Sequence, residues 1–299
     1  MNPVTLKAFK PQDADAVSQL FSEVYGPRYP QPDVYLPIMV GQQNTRRQWY
    51  SLLAWDAGRL VGHAALCRSA QDRHQAELAL LLVHPQAQGQ CIATRLGREL
   101  VRRAPRLHLH TLSIKQVTSH PYTQRLALGI GFHNCGVLPD YVASPFGQSP
   151  QETMIIGCQM VAGHRRPLPP LAWPADSREL MEPLTLRFGT QSNWPRISPA
   201  AMTTLYQQER IELVIQRLDK RILRQLDRLP AHWLVSLKLG LGLSFAQDMQ
   251  RLWALGFRFS GIMPAPGPEG WLALFHRGVK PRALAIDCSH MQRLAAAMG

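Results

Sequence analysis

Apolar and polar positions divide the chain into short strands and amphipathic helices. From 78 to 83, LALLLV, apolar residues run without a polar break. The run is far too short to cross a bilayer and predicts a strand buried on both faces. Pro85 and the stretch QAQGQ end it, and Ile92, Leu96, Leu100 and Val101 then recur at helical spacing, with Arg95, Arg98, Arg102 and Arg103 largely on other faces. Upstream, 4–9 alternates as a first strand, and Asp13 and Asp15 open a helix with an apolar stripe of Val17, Leu20, Phe21 and Val24. The prolines of 27–37, PRYPQPDVYLP, rule out a regular helix there. Further strands are predicted over 49–55 and 60–68, joined by the hairpin signal Asp56-Ala57-Gly58, and over 107–114 (LHLHTLSI) and 152–161.

Beyond 161 the composition changes. Residues 162–178, AGHRRPLPPLAWPADSR, are proline-rich and basic and read as a semi-rigid linker. Pieces of the first half then return: Gly131-Phe132, Gly136 and Pro139 as Gly256-Phe257, Gly261 and Pro264; LHLHTLSI as HWLVSLKL; and the opening VTLKAF as LTLRF over 184–188. Residues 202–229 read as one continuous helix without glycine. The organisation expected is therefore a complete domain over 1–161, a linker over 162–180 and a smaller, truncated second copy over 181–299. A last short helix lies in DCSHMQRLAAAM, capped by Asp287 or Ser289.

A hydrophobic fraction of 45% supports a substantial core, and no stretch is long enough for a membrane span. The N-terminus has no apolar signal region, and Cys67, Cys91, Cys135, Cys158 and Cys288 are widely spaced, so free thiols and a cytoplasmic location are expected. The net charge of +13 suits acidic partners. No nucleic-acid module accompanies the charge, so nucleic acid is not an expected partner. His108 and His110 stand two apart on one strand face without a third ligand at metal spacing, so no metal is expected.

A strand that feeds a glycine turn opening a helix leaves several backbone N–H groups pointing one way, at the positive end of the helix dipole. Such a place accepts an anion, phosphate above all. Here Gln88-Gly89-Gln90-Cys91-Ile92-Ala93, after Val83-His84-Pro85, resembles the acyl-CoA signature of the GNAT acetyltransferases: Gln or Arg, two residues, Gly, one residue, Gly or Ala. Gln88 and Ala93 fit; Cys91 stands where the family usually has glycine.

The resemblance implies an α/β class fold with a mixed sheet (the GNAT fold) and acetyl-CoA or another acyl-CoA as co-substrate. The backbone from Gln88 to Ala93 would hold the pyrophosphate, the strand with Leu82 and Val83 would pair with the pantetheine arm, and an amine would attack the thioester directly. Glu77, six residues before Val83, takes a position where some members carry a catalytic carboxylate. A base there has chemical use, because the attacking amine must be neutral. The family's tyrosine acid is replaced by Ala127, which leaves Tyr122 or His120 as candidate proton donors to the thiolate. Tyr29 and Tyr35, with Tyr25, fall in the segment that shapes the acceptor pocket. Cys91 also opens an acyl-cysteine route, with phosphate competing for the same helix end. Two other readings stay open: an acyl carrier protein as donor, and a non-catalytic binding protein on a decayed GNAT pair.

Overall fold

Asp56-Ala57-Gly58 makes the turn its residues suggest. Ala57 and Gly58 both take positive φ, 45° and 84°, and so join β2 (Trp49–Asp56) to β3 (Arg59–Arg68) with the twist a two-residue hairpin needs. The computed structural model describes residues 4–146, 151–171, 173, 175–192, 203–207 and 210–298. Around that hairpin stand β1 (Thr5–Ala8), α1 (Ala14–Tyr25), α2 (Pro37–Thr45) and β4 (Gln75–Val83). The first half continues with α3 (Ile92–Arg103), β5 (Thr111–Val117), α4 (Tyr122–Gly129), β6 (His133–Ala143) and β7 (Gln151–Met160). The second half holds α5 (Ala175–Phe188), β8 (Thr203–Gln207), β9 (Arg210–Ile215), α6 (Lys220–Asp227), β10 (Leu234–Gly240), α7 (Phe245–Ala254), β11 (Arg258–Pro264), β12 (Trp271–Arg277) and α8 (Ser289–Ala296).

The described strands form one mixed sheet in the order β1-β2-β3-β4-β5-β7-β6-β11-β12-β10-β9-β8. On its first half, one face packs Ile92, Leu96 and Leu100 of α3 against Leu52, Leu66 and Leu78. The other packs Val17, Leu20 and Phe21 of α1 against Leu53, Leu80 and Leu82. A strand whose successive residues feed two cores must be apolar at every position, which accounts for LALLLV. A third, larger core lies over the second half, from Leu180 and Met181 to Phe275 and Met291.

Four local expectations are corrected. The run LHLHTLSI becomes strand only from Thr111; Ala104–Leu107 is a 3-10 turn and His108 is left-handed at φ 55°, a start set by Pro105. LTLRF is the end of α5, where Met181, Leu184 and Phe188 are buried at helical spacing. The continuous helix expected over 202–229 is replaced, at its described residues, by β8, β9 and the short α6; residues 202, 208 and 209 lie outside the described residues. RIELVI buries every second residue, and its period of two prevails over the helical reading. Asp287 does not cap α8: it pairs with Arg125 at 3.2 Å, and no side chain caps that helix.

The segment expected as a linker is anchored. Arg166 is 2% exposed, and its guanidinium donates to the carbonyls of Ala265 (3.0 Å), Gly270 (2.8 Å) and Gly267. Gln75 and Asp72 reach the same loop, through Ala265 O at 2.6 Å and Gly267 N at 3.0 Å. Three parts of the chain distant in sequence therefore meet on one tight loop.

Candidate functional site

Strands β4 and β5 are parallel but pair only from Gln75↔Thr111 to Leu78↔Ile114. Beyond that the ladder stops, although both strands continue. The cause lies in β4 itself: the register with β3 passes from Ala65↔Ala79 to His63↔Leu82, so β4 carries one extra residue, and Leu80 has a left-handed φ of 53°. A bulge bends its strand. Buried His63 braces it, with Nδ1–H donating to Leu80 O at 2.7 Å, an assignment that follows because a carbonyl only accepts. Burial lowers the His63 pKa to about 4, and the Leu80 hydrogen bond only partly opposes this.

The parted strands open into a cleft of about 420 Å³ whose lining includes Tyr25, Tyr29, Glu77, Leu78–Leu81, Lys115, His120, Tyr141, Phe146 and Glu152. Glu77 is ion-paired to Lys115, whose Nζ lies 5.1 Å from the Tyr141 ring centre. Burial opposes the Lys115 charge, but the Glu77 carboxylate and Tyr141 outweigh it and hold the pKa above the ordinary lysine value. On the same Tyr141 ring the Arg210 guanidinium sits at 5.4 Å, so the second half touches the cleft wall. Burial drives the Tyr25 phenol up to about 12 and raises Tyr29 as well, so both hydroxyls stay neutral. Tyr25 stands 4.9 Å from Tyr29 and 5.4 Å from Phe146, ring centre to ring centre.

At the far end of β4, the 3-10 turn Pro85–Ala87 leads through Gly89 (φ 81°) and Cys91 (φ 54°) into α3. No side chain caps that helix, and its first internal bond is Arg95 N to Cys91 O at 3.0 Å. The amides of Ile92, Ala93 and Thr94 therefore have no carbonyl of their own turn to donate to. Gln88, Gly89, Gln90 and Cys91 are exposed, Ala93 is half-buried and Ile92 anchors the turn in the core. Leu82 is buried and Val83 half-buried, both still paired to β3. A strand, a turn and an uncapped helix start thus stand beside an unpaired strand edge, and together they suit an extended ligand with an anionic end.

The cleft brings Glu77, Tyr29 and His120 together, and the buried Nδ1 of His120 has no partner among the described residues. Two candidates lie elsewhere. Tyr122 is 72% exposed on the outer turn of α4, 5.1 Å from the His120 ring and outside the cleft lining, because Pro121 starts the helix with that position facing water. Tyr35 is also outside the lining; its hydroxyl accepts the Tyr29 N–H at 2.8 Å and so buttresses the loop that carries Tyr29. Sequence reasoning missed Lys115, Tyr141, Phe146 and Glu152. A lysine inside the apolar strand TLSIKQV was the one available signal, and its carboxylate partner depends on strand register.

Residues 14–132 match the sequence model of the acetyltransferase (GNAT) family. No curated protein matches the chain. Among solved structures it is similar to yncA from Salmonella typhimurium, solved with its cofactor acetyl-CoA, at 18% identity over 55% of this chain and 96% of that one, TM-score 0.47. An N-acetyltransferase from Staphylococcus aureus Mu50 is similar at 14% identity over 54% and 99%, TM-score 0.47. A ribosomal-protein-alanine N-acetyltransferase from Brucella melitensis follows at 20% identity over 52% and 99%, TM-score 0.45.

Proposed function

We propose that this chain, whose residues 14–132 form a domain of the acetyltransferase (GNAT) family, transfers an acyl group from acetyl-CoA or another acyl-CoA to an amine. The observation that carries the reading is the early end of the β4–β5 ladder at Leu78↔Ile114, with an uncapped helix start at the end of the same strand. The pantetheine arm would lie along the freed edge near Leu82 and Val83, with the pyrophosphate on the backbone of Gln88, Gly89, Gln90, Cys91, Ile92 and Ala93. The thioester would then fall beside Glu77, which takes a proton from the amine. A strand N–H holds the oxyanion of the tetrahedral intermediate. His120 is favoured over Tyr122 as proton donor to the thiolate, because His120 lines the cleft.

The second half is proposed as a related unit without its own acyl-CoA site. The order β4-β5-β7-β6 is followed across the seam by β11-β12-β10-β9, the same arrangement reversed. The β9–β10 ladder runs without a break from Arg210↔Leu234 to Ile215↔Leu239, so no cleft opens there. Asp219 Oδ1 accepts the Ile222 N–H at 2.7 Å and thereby occupies the start of α6 with a carboxylate, which repels phosphate.

Calorimetric titration with acetyl-CoA, with desulfo-CoA as comparison, tests the reading. One site per chain is expected, with a raised melting temperature; a hundredfold excess over Kd adds about 2.7 kcal/mol. Glu77→Gln should keep that binding and lower kcat by about 10²–10⁴-fold. Absence of heat and of any thermal shift would overturn the assignment.

A further inference from the structure

The Glu77–Lys115 pair stands where an acceptor amine must be received, and it rests on a register that the chain uses twice. Glu77 faces Ser113 across the β4–β5 ladder, with Lys115 two residues further on. Glu212 faces Ser236 across β9–β10, with Lys238 two residues further on and again ion-paired. In the second half the ladder continues past the pair, which acts as a cross-strand tie. In the first half the ladder ends one residue beyond Glu77, and both charged groups line the cleft.

Resting on the acyl-CoA reading above, we propose that the acceptor is a zwitterion: an α-amino acid with an apolar or aromatic side chain, whose ammonium binds Glu77 and whose carboxylate binds Lys115. A cation without a carboxylate has to take Glu77 from Lys115 and leave that ammonium uncompensated inside the cleft, which is costly. An amino acid exchanges one ion pair for two and leaves neither charge alone. Lys115 keeps its place during the exchange because the Tyr141 ring holds it at 5.1 Å, and Arg210 holds Tyr141 in turn, its guanidinium 5.4 Å from the ring centre and donating to the Tyr141 backbone carbonyl at 2.8 Å.

The rest of the pocket chooses the side chain. Tyr25, Tyr29 and Phe146 form an aromatic wall of neutral rings. Glu152, the other carboxylate of the lining, already accepts the Ser144 hydroxyl at 2.9 Å. An apolar side chain fits that wall. The step then balances. Glu77, released from Lys115 by the incoming carboxylate, takes one proton from the ammonium, and the nitrogen lone pair attacks the thioester carbonyl carbon. The C–N bond forms, the C–S bond breaks with its electron pair leaving on sulfur, His120 gives the thiolate a proton, and the remaining surplus amine proton replaces the one His120 gave. The base is available only when an acceptor with a carboxylate is present.

The test compares initial rates with acetyl-CoA for L-phenylalanine, L-leucine, L-phenylalaninamide and phenethylamine. Wild-type protein is expected to favour the two amino acids over both carboxylate-free amines by at least about 100-fold in kcat/KM. Lys115→Met should abolish that preference from both sides, lowering the amino-acid values and raising phenethylamine, because Glu77 is then no longer held by an ammonium. Lys238→Met, which breaks the equivalent pair in the second half, should leave the preference intact. Lys115→Arg, which keeps the charge, should retain most of it, and the wild-type comparison stands even if Lys115→Met does not fold. Phenethylamine equal to or better than phenylalanine would overturn the zwitterion. So would acetyl-CoA binding without acetylation of either amino acid, while the acyl-CoA reading survived. Protein that binds no acetyl-CoA removes that reading and this inference with it.

Discussion

Cys91 shows what one residue contributes through its backbone. It precedes α3 with φ 54° and ψ 21°, a conformation that costs a side-chain-bearing residue about 1–2 kcal/mol and glycine almost nothing. The cysteine therefore retains the amide and carries the strain. Cys91→Gly should raise unfolding stability by about 1 kcal/mol in urea titrations, and Cys91→Val should lower it. His63 and His276 make the corresponding argument for charge. Both are buried, and burial lowers their pKa values to about 4 and about 3, against an ordinary 6.5. Between pH 6.5 and 4 the unfolded chain binds protons at both positions while the folded chain does not. Stability should thus be full above pH 6.5 and fall as pH drops, by about 1.4 kcal/mol per pH unit for each histidine once the unfolded form is charged. Denaturant midpoints measured from pH 7 to 4 check this; a flat profile would show that the two imidazoles titrate normally.

At the scale of elements, α4 and the segment before α8 act as one piece. Gln124 is buried on α4; its Nε2 donates to Val117 O (3.1 Å), His120 O (3.3 Å) and Ala285 O (2.7 Å), and its Oε1 accepts Asp287 N–H at 2.9 Å. One side chain thereby ties the end of β5, the start of α4 and the C-terminal segment. Gln124→Ala leaves these groups without partners and should cost about 2 kcal/mol. Hydrogen exchange at the Asp287 amide should accelerate in the same variant. Unchanged exchange would mean that Arg125 and Asp287, paired at 3.2 Å, are enough to hold the segment.

For the whole molecule the decisive contact is the seam between halves. Strands β6 and β11 meet at Gly136↔Gly261, where a Cβ on Gly261 would lie 2.2 Å from Cys135 O and one on Gly136 would lie 2.8 Å from Ser260 O. Gly261 also has φ 118°, which side chains rarely adopt. Glycine is needed there because two backbones touch. Gly261→Ala should cost about 3 kcal/mol or more and split a single unfolding transition into two, read by tryptophan fluorescence and circular dichroism. Among the described residues no helix is long and apolar enough to cross a membrane.

Local pattern alone determined much of this protein. The run LALLLV, the Ala-Gly hairpin turn, the helix after Gly89 and the resemblance carried by Gln88 to Ala93 are all set by neighbours within a few residues, which is the range over which periodicity and turn chemistry act. A short apolar stretch that fits two periods is not decided locally: RIELVI suits a helix and LTLRF a strand by pattern, and packing makes the first a strand and the second a helix end. Only tertiary structure placed Lys115 against Glu77, Arg210 against Tyr141 and Tyr122 in water. Those facts depend on strand register, on the bulge at Leu80 and on the face a helix turns inward, and each is set by contacts between residues far apart in the chain.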